Sequence, residues 1–91
     1  MTEEKIHTKH PLGKSNKSVR KQEYELFKKA IVDALCKREM THTELVEQLQ
    51  KDLRGMFSGN VSWHIMTVKL DLEARKTIER TSSKPQKYRL R

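Results

Sequence analysis

The stretch SGNVSWHIMTVKLDLEARKTIER, Ser58 to Arg80, decides how this chain is read. It opens on capping residues, continues with apolar residues at helical spacing and runs into a short β-prone segment. Val61, Ile65, Val68 and Leu72 recur at three- and four-residue steps and form one stripe of an α-helix. At about 100° per residue, Trp63, Met66, Leu70 and Ala74 gather on another side. A helix apolar on two sides is expected to be covered on two sides. Between Val61 and Arg75 the cations besides His64 are Lys69 and Arg75, set against Asp71 and Glu73. The segment is nearly neutral in a protein that is not.

The chain has 91 residues and a formal net charge of +8, which bounds it to one small domain. Its charge is unevenly placed. Met1 to Lys21 holds six Lys/Arg against two Glu, and Lys76 to Arg91 holds six against Glu79 alone. The middle, Gln22 to Arg75, holds eight basic and nine acidic residues. Two cationic ends on a neutral middle point to a polyanionic partner touching both. The plainer reading is a solubilising tail and a solvated hairpin.

The single cysteine, Cys36, excludes an internal disulfide and fits a reducing compartment. No apolar run approaches a membrane span, and the start MTEEKIHTKH lacks the apolar segment of a secretory signal. The expectation is a soluble, cytoplasmic protein with no membrane partner.

Residues 1–18 contain HPLGKSNKS and little apolar content beyond Ile6 and Leu12. That composition predicts a flexible basic arm, leaving residues 19–91 as the folded domain. Tyr24, Phe27, Ile31, Ala34 and Leu35 mark a first helix over about 19–38, with Ser18 as its cap and the two aromatics in the core. Leu45, Leu49 and Leu53, with Val46 alongside, mark a second over about 42–54. Thr41 and Glu44 have the spacing of a capping box, and Gly55 is the expected stop. The third helix covers about 60–75, with Ser58 or Asn60 as cap. KTIERT and KYRLR, joined by SSKPQ, predict a hairpin with strands at about 76–81 and 87–91. Alternation turns Ile78, Tyr88 and Leu90 inward and Lys87, Arg89 and Arg91 outward, with Lys84 at the tip. A two-stranded ribbon needs support. The second face of the third helix is its expected seat, and Trp63 is expected beneath it with Leu70, Ala74 and Tyr88.

Three helices followed by a hairpin resemble a winged helix-turn-helix domain. HPLGKSNKSV, THTELVEQL, GNVSWHIMTVKLDLEARKTIER and KPQKYRL resemble, more closely, a family of small uncharacterised bacterial proteins with that fold. The fold class expected is therefore mainly α with a small β-hairpin. The resemblance implies that the third helix enters a DNA groove and the hairpin touches backbone nearby. Carried onto this sequence, it makes Ser58, Asn60, Ser62 and Lys69 groove candidates and Lys84, Lys87, Arg89 and Arg91 wing contacts. Lys14 and Lys17 on the arm join them. Asn60 and Ser62 lie near a helix N-terminus, where backbone N–H groups favour a phosphate. Asp71 and Glu73 oppose phosphate approach, and the helix offers no arginine in its first three turns for bidentate base reading.

The remaining chemistry-bearing residues have quieter readings. His7 and His10 sit in the arm without a carboxylate or thiolate set to complete a metal site. His42 reads as a turn residue and His64 as a packed boundary histidine. Cys36, beside Lys37 and Arg38, reads as a half-buried structural thiol rather than a redox sensor. There is no Gly-rich phosphate loop and no nucleophile with a placed base, so neither enzyme nor cofactor use is expected.

The functional expectation is a DNA-binding module, of the transcription-regulator kind, that takes its affinity chiefly from arm and wing. The target is double-stranded DNA, with low sequence specificity from this domain alone. The alternative is a protein-interaction or homodimerisation module that uses Trp63, Met66 and Leu70 and does not bind DNA.

Overall fold

Helix signals and hairpin signals are both realised, and a second hairpin joins them. The computed structural model describes residues 5–10, 12, 15–57 and 59–91. In chain order it contains β1 (Lys5–Lys9), β2 (Ser15–Arg20), α1 (Lys21–Lys37), α2 (His42–Asp52), α3 (Val61–Ala74), β3 (Ile78–Arg80) and β4 (Tyr88–Leu90). The result is a small α+β domain of three helices with two antiparallel hairpins, β1–β2 and β3–β4.

Each helix buries the stripe its sequence announces. Phe27 and Ile31 of α1, Leu45 and Leu49 of α2, and Ile65, Val68 and Leu72 of α3 are fully buried together. Burial of a side chain of this size contributes about 1.5–3 kcal/mol, so this seam dominates the stability. Thr41 and Glu44 form the expected capping box: the Glu44 N–H donates to Thr41 Oγ1 at 3.1 Å and the Thr41 N–H to Glu44 Oε1 at 2.9 Å. Asn60 caps α3, its Oδ1 accepting from the Trp63 N–H at 2.9 Å. Gly55, at φ +79°, supplies the left-handed residue just beyond α2. At α1 the expectation differs from the structure. Arg20, not Ser18, is the capping residue and makes no side-chain cap bond, because Ser18 is held in strand β2 opposite His7.

α3 ends in a Schellman turn, in which two N–H groups beyond the helix return to carbonyls of its last turn. The Lys76 N–H donates to the Glu73 carbonyl at 3.0 Å and the Thr77 N–H to the Leu72 carbonyl at 2.9 Å. Lys76 takes the left-handed conformation there, at φ 62°. This turn delivers the chain into β3. The β3–β4 register pairs Ile78 with Leu90, Glu79 with Arg89 and Arg80 with Tyr88. Tyr88 also bridges back to the α1–α2 connection, exchanging hydrogen bonds with Met40 at 2.7 and 3.1 Å. Ile78 and Tyr88 are buried while Arg89 and Arg91 face solvent, as the alternation requires.

The flexible arm is corrected by the structure. Residues 5–9 and 15–20 pair as a hairpin, with Ile6 opposite Val19 and a register shift between His7 and Lys9. Val19 is buried, and Thr8 is buried with its hydroxyl donating to the Lys17 carbonyl. The docking is polar as much as apolar: the Lys9 N–H donates to Asp71 Oδ1 of α3 at 2.8 Å. Leu12, in contrast, is exposed. A low apolar content therefore did not leave this segment loose, because a buried carboxylate 62 residues away completes it.

Candidate nucleic-acid interface

The site is organised by α3. Steps of about 100° per residue divide it into a core stripe, two flanks and an outer face. Ile65, Val68 and Leu72 occupy the stripe. Thr67 and Asp71 lie on one flank, Lys69 and Glu73 on the other, and Trp63, Met66 and Leu70 between them on the outside.

On the first flank Asp71 is fully buried and satisfied by three partners. The Tyr24 hydroxyl donates to Oδ2, the Lys9 N–H donates to Oδ1, and Arg75 Nε lies 2.8 and 3.0 Å from the two oxygens. Burial, then the hydrogen bond to Asp71, raises the Tyr24 pKa. The same carboxylate raises that of Arg75. Asp71 thus ties α1, α3 and β1 together.

On the second flank Lys69 is buried, 5 % exposed. Its Nζ donates to His42 Nδ1 at 2.9 Å and lies 4.0 Å from the centre of the Tyr88 ring. Burial pushes the Lys69 pKa down to about 8, the Glu73 charge opposing and the Arg80 charge adding to the shift. His42 is lowered by burial and then by the Lys69 charge, and burial raises Tyr88. Next to this cluster Arg80 Nε contacts both Glu73 oxygens at 3.0 and 3.1 Å. The first flank is thus joined to β1–β2 and the second to β3–β4.

Several expected positions change in consequence. Lys69 is not a groove contact: it is buried and points inward, donating to His42. Asp71 and Glu73 do not present free carboxylates to a phosphate, since each is paired with an arginine. The β3–β4 hairpin does not cover the Trp63 face, because Tyr88 is seated on the Lys69 flank. Trp63 is half-buried and packs edge-on against His64, ring centres 4.8 Å apart. Leu70 is half-buried and Met66 is 48 % exposed. The outer face of α3 is open and apolar.

Asn60 and Ser62 are exposed at the start of α3, although the Asn60 carbonyl oxygen of the side chain is engaged in capping. Ser58 and Lys14 lie outside the described residues. Lys17 is exposed on β2, where Lys5, Lys9 and Arg20 add to the charge of that hairpin. On the other hairpin Lys84 and Arg91 are exposed and Lys87 is half-buried. Arg89 is shared between Glu39 at 3.4 Å and Glu79 at 3.6 Å, exposed pairs worth about 0–1 kcal/mol that leave it available to a stronger anion. The residues brought together by the fold are thus an apolar ridge and a cationic hairpin docked on each flank of it.

His64 packs as expected, stacked on Phe27 at 5.1 Å and edge-on to Phe57 at 4.7 Å. Its Nδ1 donates to the Asn60 carbonyl at 2.8 Å, and Nε2 lies 3.6 Å from Glu23. Cys36 is exposed rather than half-buried, since it falls between the buried Leu35 and the solvent-facing Lys37. Among the described residues no group of three His, Cys, Asp or Glu is placed to hold a metal, and no helix is long and apolar enough to cross a membrane.

The sequence offered a signal for the second cationic hairpin, its alternation, but only a weak one for the first. The Lys69–His42 pair and the Asp71 hub left none: nothing local marks two residues 27 or 47 positions apart as partners.

Comparison with curated proteins and with solved structures gave no match. Residues 5–88, from the first residue of β1 to the first residue of β4, match the family described as Family of unknown function (DUF6958), and the chain belongs to that family.

Proposed function

We propose that this protein is a winged helix-turn-helix module that binds double-stranded DNA, with transcriptional regulation in the cytoplasm as its setting. It is a binding module rather than an enzyme. The observation that carries this reading is the placement of the outer face of α3 between two cationic hairpins. A helix about 10–12 Å across fits a major groove about 12 Å wide, and phosphates line both sides of that groove. Hairpins on both flanks of the helix suit such a target. The pairing of Asp71 and Glu73 with Arg75 and Arg80 removes the charge that opposes it. The hairpin order after α3 and its tie to the α1–α2 connection support the winged-helix description.

Phosphate contacts position a protein on DNA and make its affinity strongly salt-dependent. With about five phosphates neutralised, the log–log slope of affinity against salt is about −4 to −5. Fluorescence anisotropy with a labelled random duplex, titrated at several salt concentrations, measures it. Replacing Lys84, Lys87 and Arg89 by glutamate flattens the slope, and replacing Lys5 and Lys17 does so independently. Absence of binding at low salt overturns the reading.

A second reading has one specific observation in its favour, the exposure of Met66 beside the half-buried Trp63 and Leu70. Such a patch also suits a second copy of the chain or another protein. Light scattering after size exclusion separates the two: a homodimer that dissociates on Met66→Asp supports the interaction module.

A further inference from the structure

Resting on the DNA-binding reading, we propose that Met66 and Leu70 of α3 recognise thymine 5-methyl groups in the major groove, so that the preferred duplex is rich in A·T pairs. The outer face lacks the side chains that ordinarily read bases. Reading of guanine relies on arginine or lysine donating to two acceptors on the base edge, and reading of adenine on the amide of asparagine or glutamine. The outer face carries none of these. Lys69 is turned into the domain toward His42 and Tyr88. Arg75 and Arg80 are held by Asp71 and Glu73. Asn60 sits at the helix start with its side-chain oxygen committed to the Trp63 N–H. Ser62 remains, and a serine hydroxyl serves several bases alike.

The outer face does have an apolar ridge, Met66 exposed and Leu70 one turn further along, flanked by Trp63. The one apolar group that a base pair displays in the major groove is the thymine methyl. Charge complementarity fixes the occupant of this face as a polyanion, because the hairpin on each flank is cationic. The apolar ridge then fixes which part of the polyanion it meets. Methionine suits this use, since its unbranched side chain adjusts to methyl groups at varied positions.

The test compares two duplexes of identical sequence, alternating A and T, in one of which every thymidine is replaced by deoxyuridine. Pairing is kept and only the 5-methyl is lost. Anisotropy titrations at one low salt concentration are run with the wild-type chain and with Met66→Ser, which removes the apolar reach of an exposed residue without adding an adenine-reading amide. Burial of one methyl is worth about a fourfold change in affinity, so two contacted methyls give about a fifteenfold loss for the wild type on the deoxyuridine duplex. Met66→Ser is expected to bind the thymidine duplex more weakly and to lose most of that discrimination. Equal wild-type binding to both duplexes overturns the methyl reading while leaving DNA binding in place. Discrimination that persists undiminished in Met66→Ser assigns it to duplex shape and also overturns the proposal. Failure to bind either duplex removes the DNA-binding reading itself.

Discussion

The two hairpins reach the same helix by opposite means. β3–β4 is held by apolar burial, through Ile78 and Tyr88, and by the lysine lying on the Tyr88 ring. β1–β2 buries Val19 and Thr8 but depends on a carboxylate, Asp71, that also takes a phenol and a guanidinium. An apolar seat is forgiving, because any side chain of suitable size contributes to it. A hub with several donors on one carboxylate is not: loss of the acceptor leaves each donor to find another partner. The difference predicts separate behaviour of the two hairpins under mutation.

The largest effect is expected from Asp71→Ala. The Tyr24 hydroxyl and the Lys9 N–H each lose the Asp71 acceptor, at about 1–3 kcal/mol apiece, and urea unfolding measures the sum. Hydrogen exchange on the same variant is expected to expose the amides of Ile6 to Lys9, while those of Met40 and Tyr88 stay protected. Equal loosening of both hairpins breaks the comparison.

A smaller effect, of opposite sign, belongs to Lys69. Its folded pKa of about 8 lies below the ordinary 10.5, so between those values the unfolded chain holds a proton that the folded chain has lost. Stability therefore rises with pH in this window and is level below it. The rise is about 2 kcal/mol from pH 8 to 10. Above pH 10 the tyrosines reverse it, because Tyr24 and Tyr88 have raised values and resist ionising in the fold. Lys69→Met is expected to abolish the rise and to increase stability at pH 7, since an uncharged side chain of similar length no longer carries the desolvation cost. Denaturant melts across pH 7–10 check both statements.

The smallest effect concerns the joint that feeds the second hairpin. Lys76 occupies a left-handed position that glycine adopts without strain. Lys76→Gly is expected to stabilise the protein by about 1 kcal/mol, and thermal unfolding reads it. The pH dependence set by Lys69 is expected to stay unchanged in that variant.

These contrasts also explain what the sequence disclosed. Leu45, Leu49, Ile65, Val68 and Leu72 declare their helices because periodicity is local, and so do the Thr41 and Asn60 caps. The β3–β4 hairpin is legible for the same reason. The first hairpin is not, because its inward residues include a threonine and its anchor lies on a helix far along the chain. Lys69 and Asp71 mislead in the same way. A charged residue on a helix is ordinarily solvent-exposed, and only the tertiary partners show that these two face inward. Once they do, the apolar residues Trp63, Met66 and Leu70 are the ones left outside, which reverses the expected covering of α3.

We propose that the outer face of α3 and the hairpins flanking it form one surface for duplex DNA. Backbone amide NMR shifts, recorded while a short duplex is added at low salt, test it most directly. Shifts are expected in three segments together, 5–20, 62–70 and 78–91, with the exposed side of α1 at Glu25 and Lys28 unmoved. Shifts confined to that side of α1, or no shifts at all, contradict it.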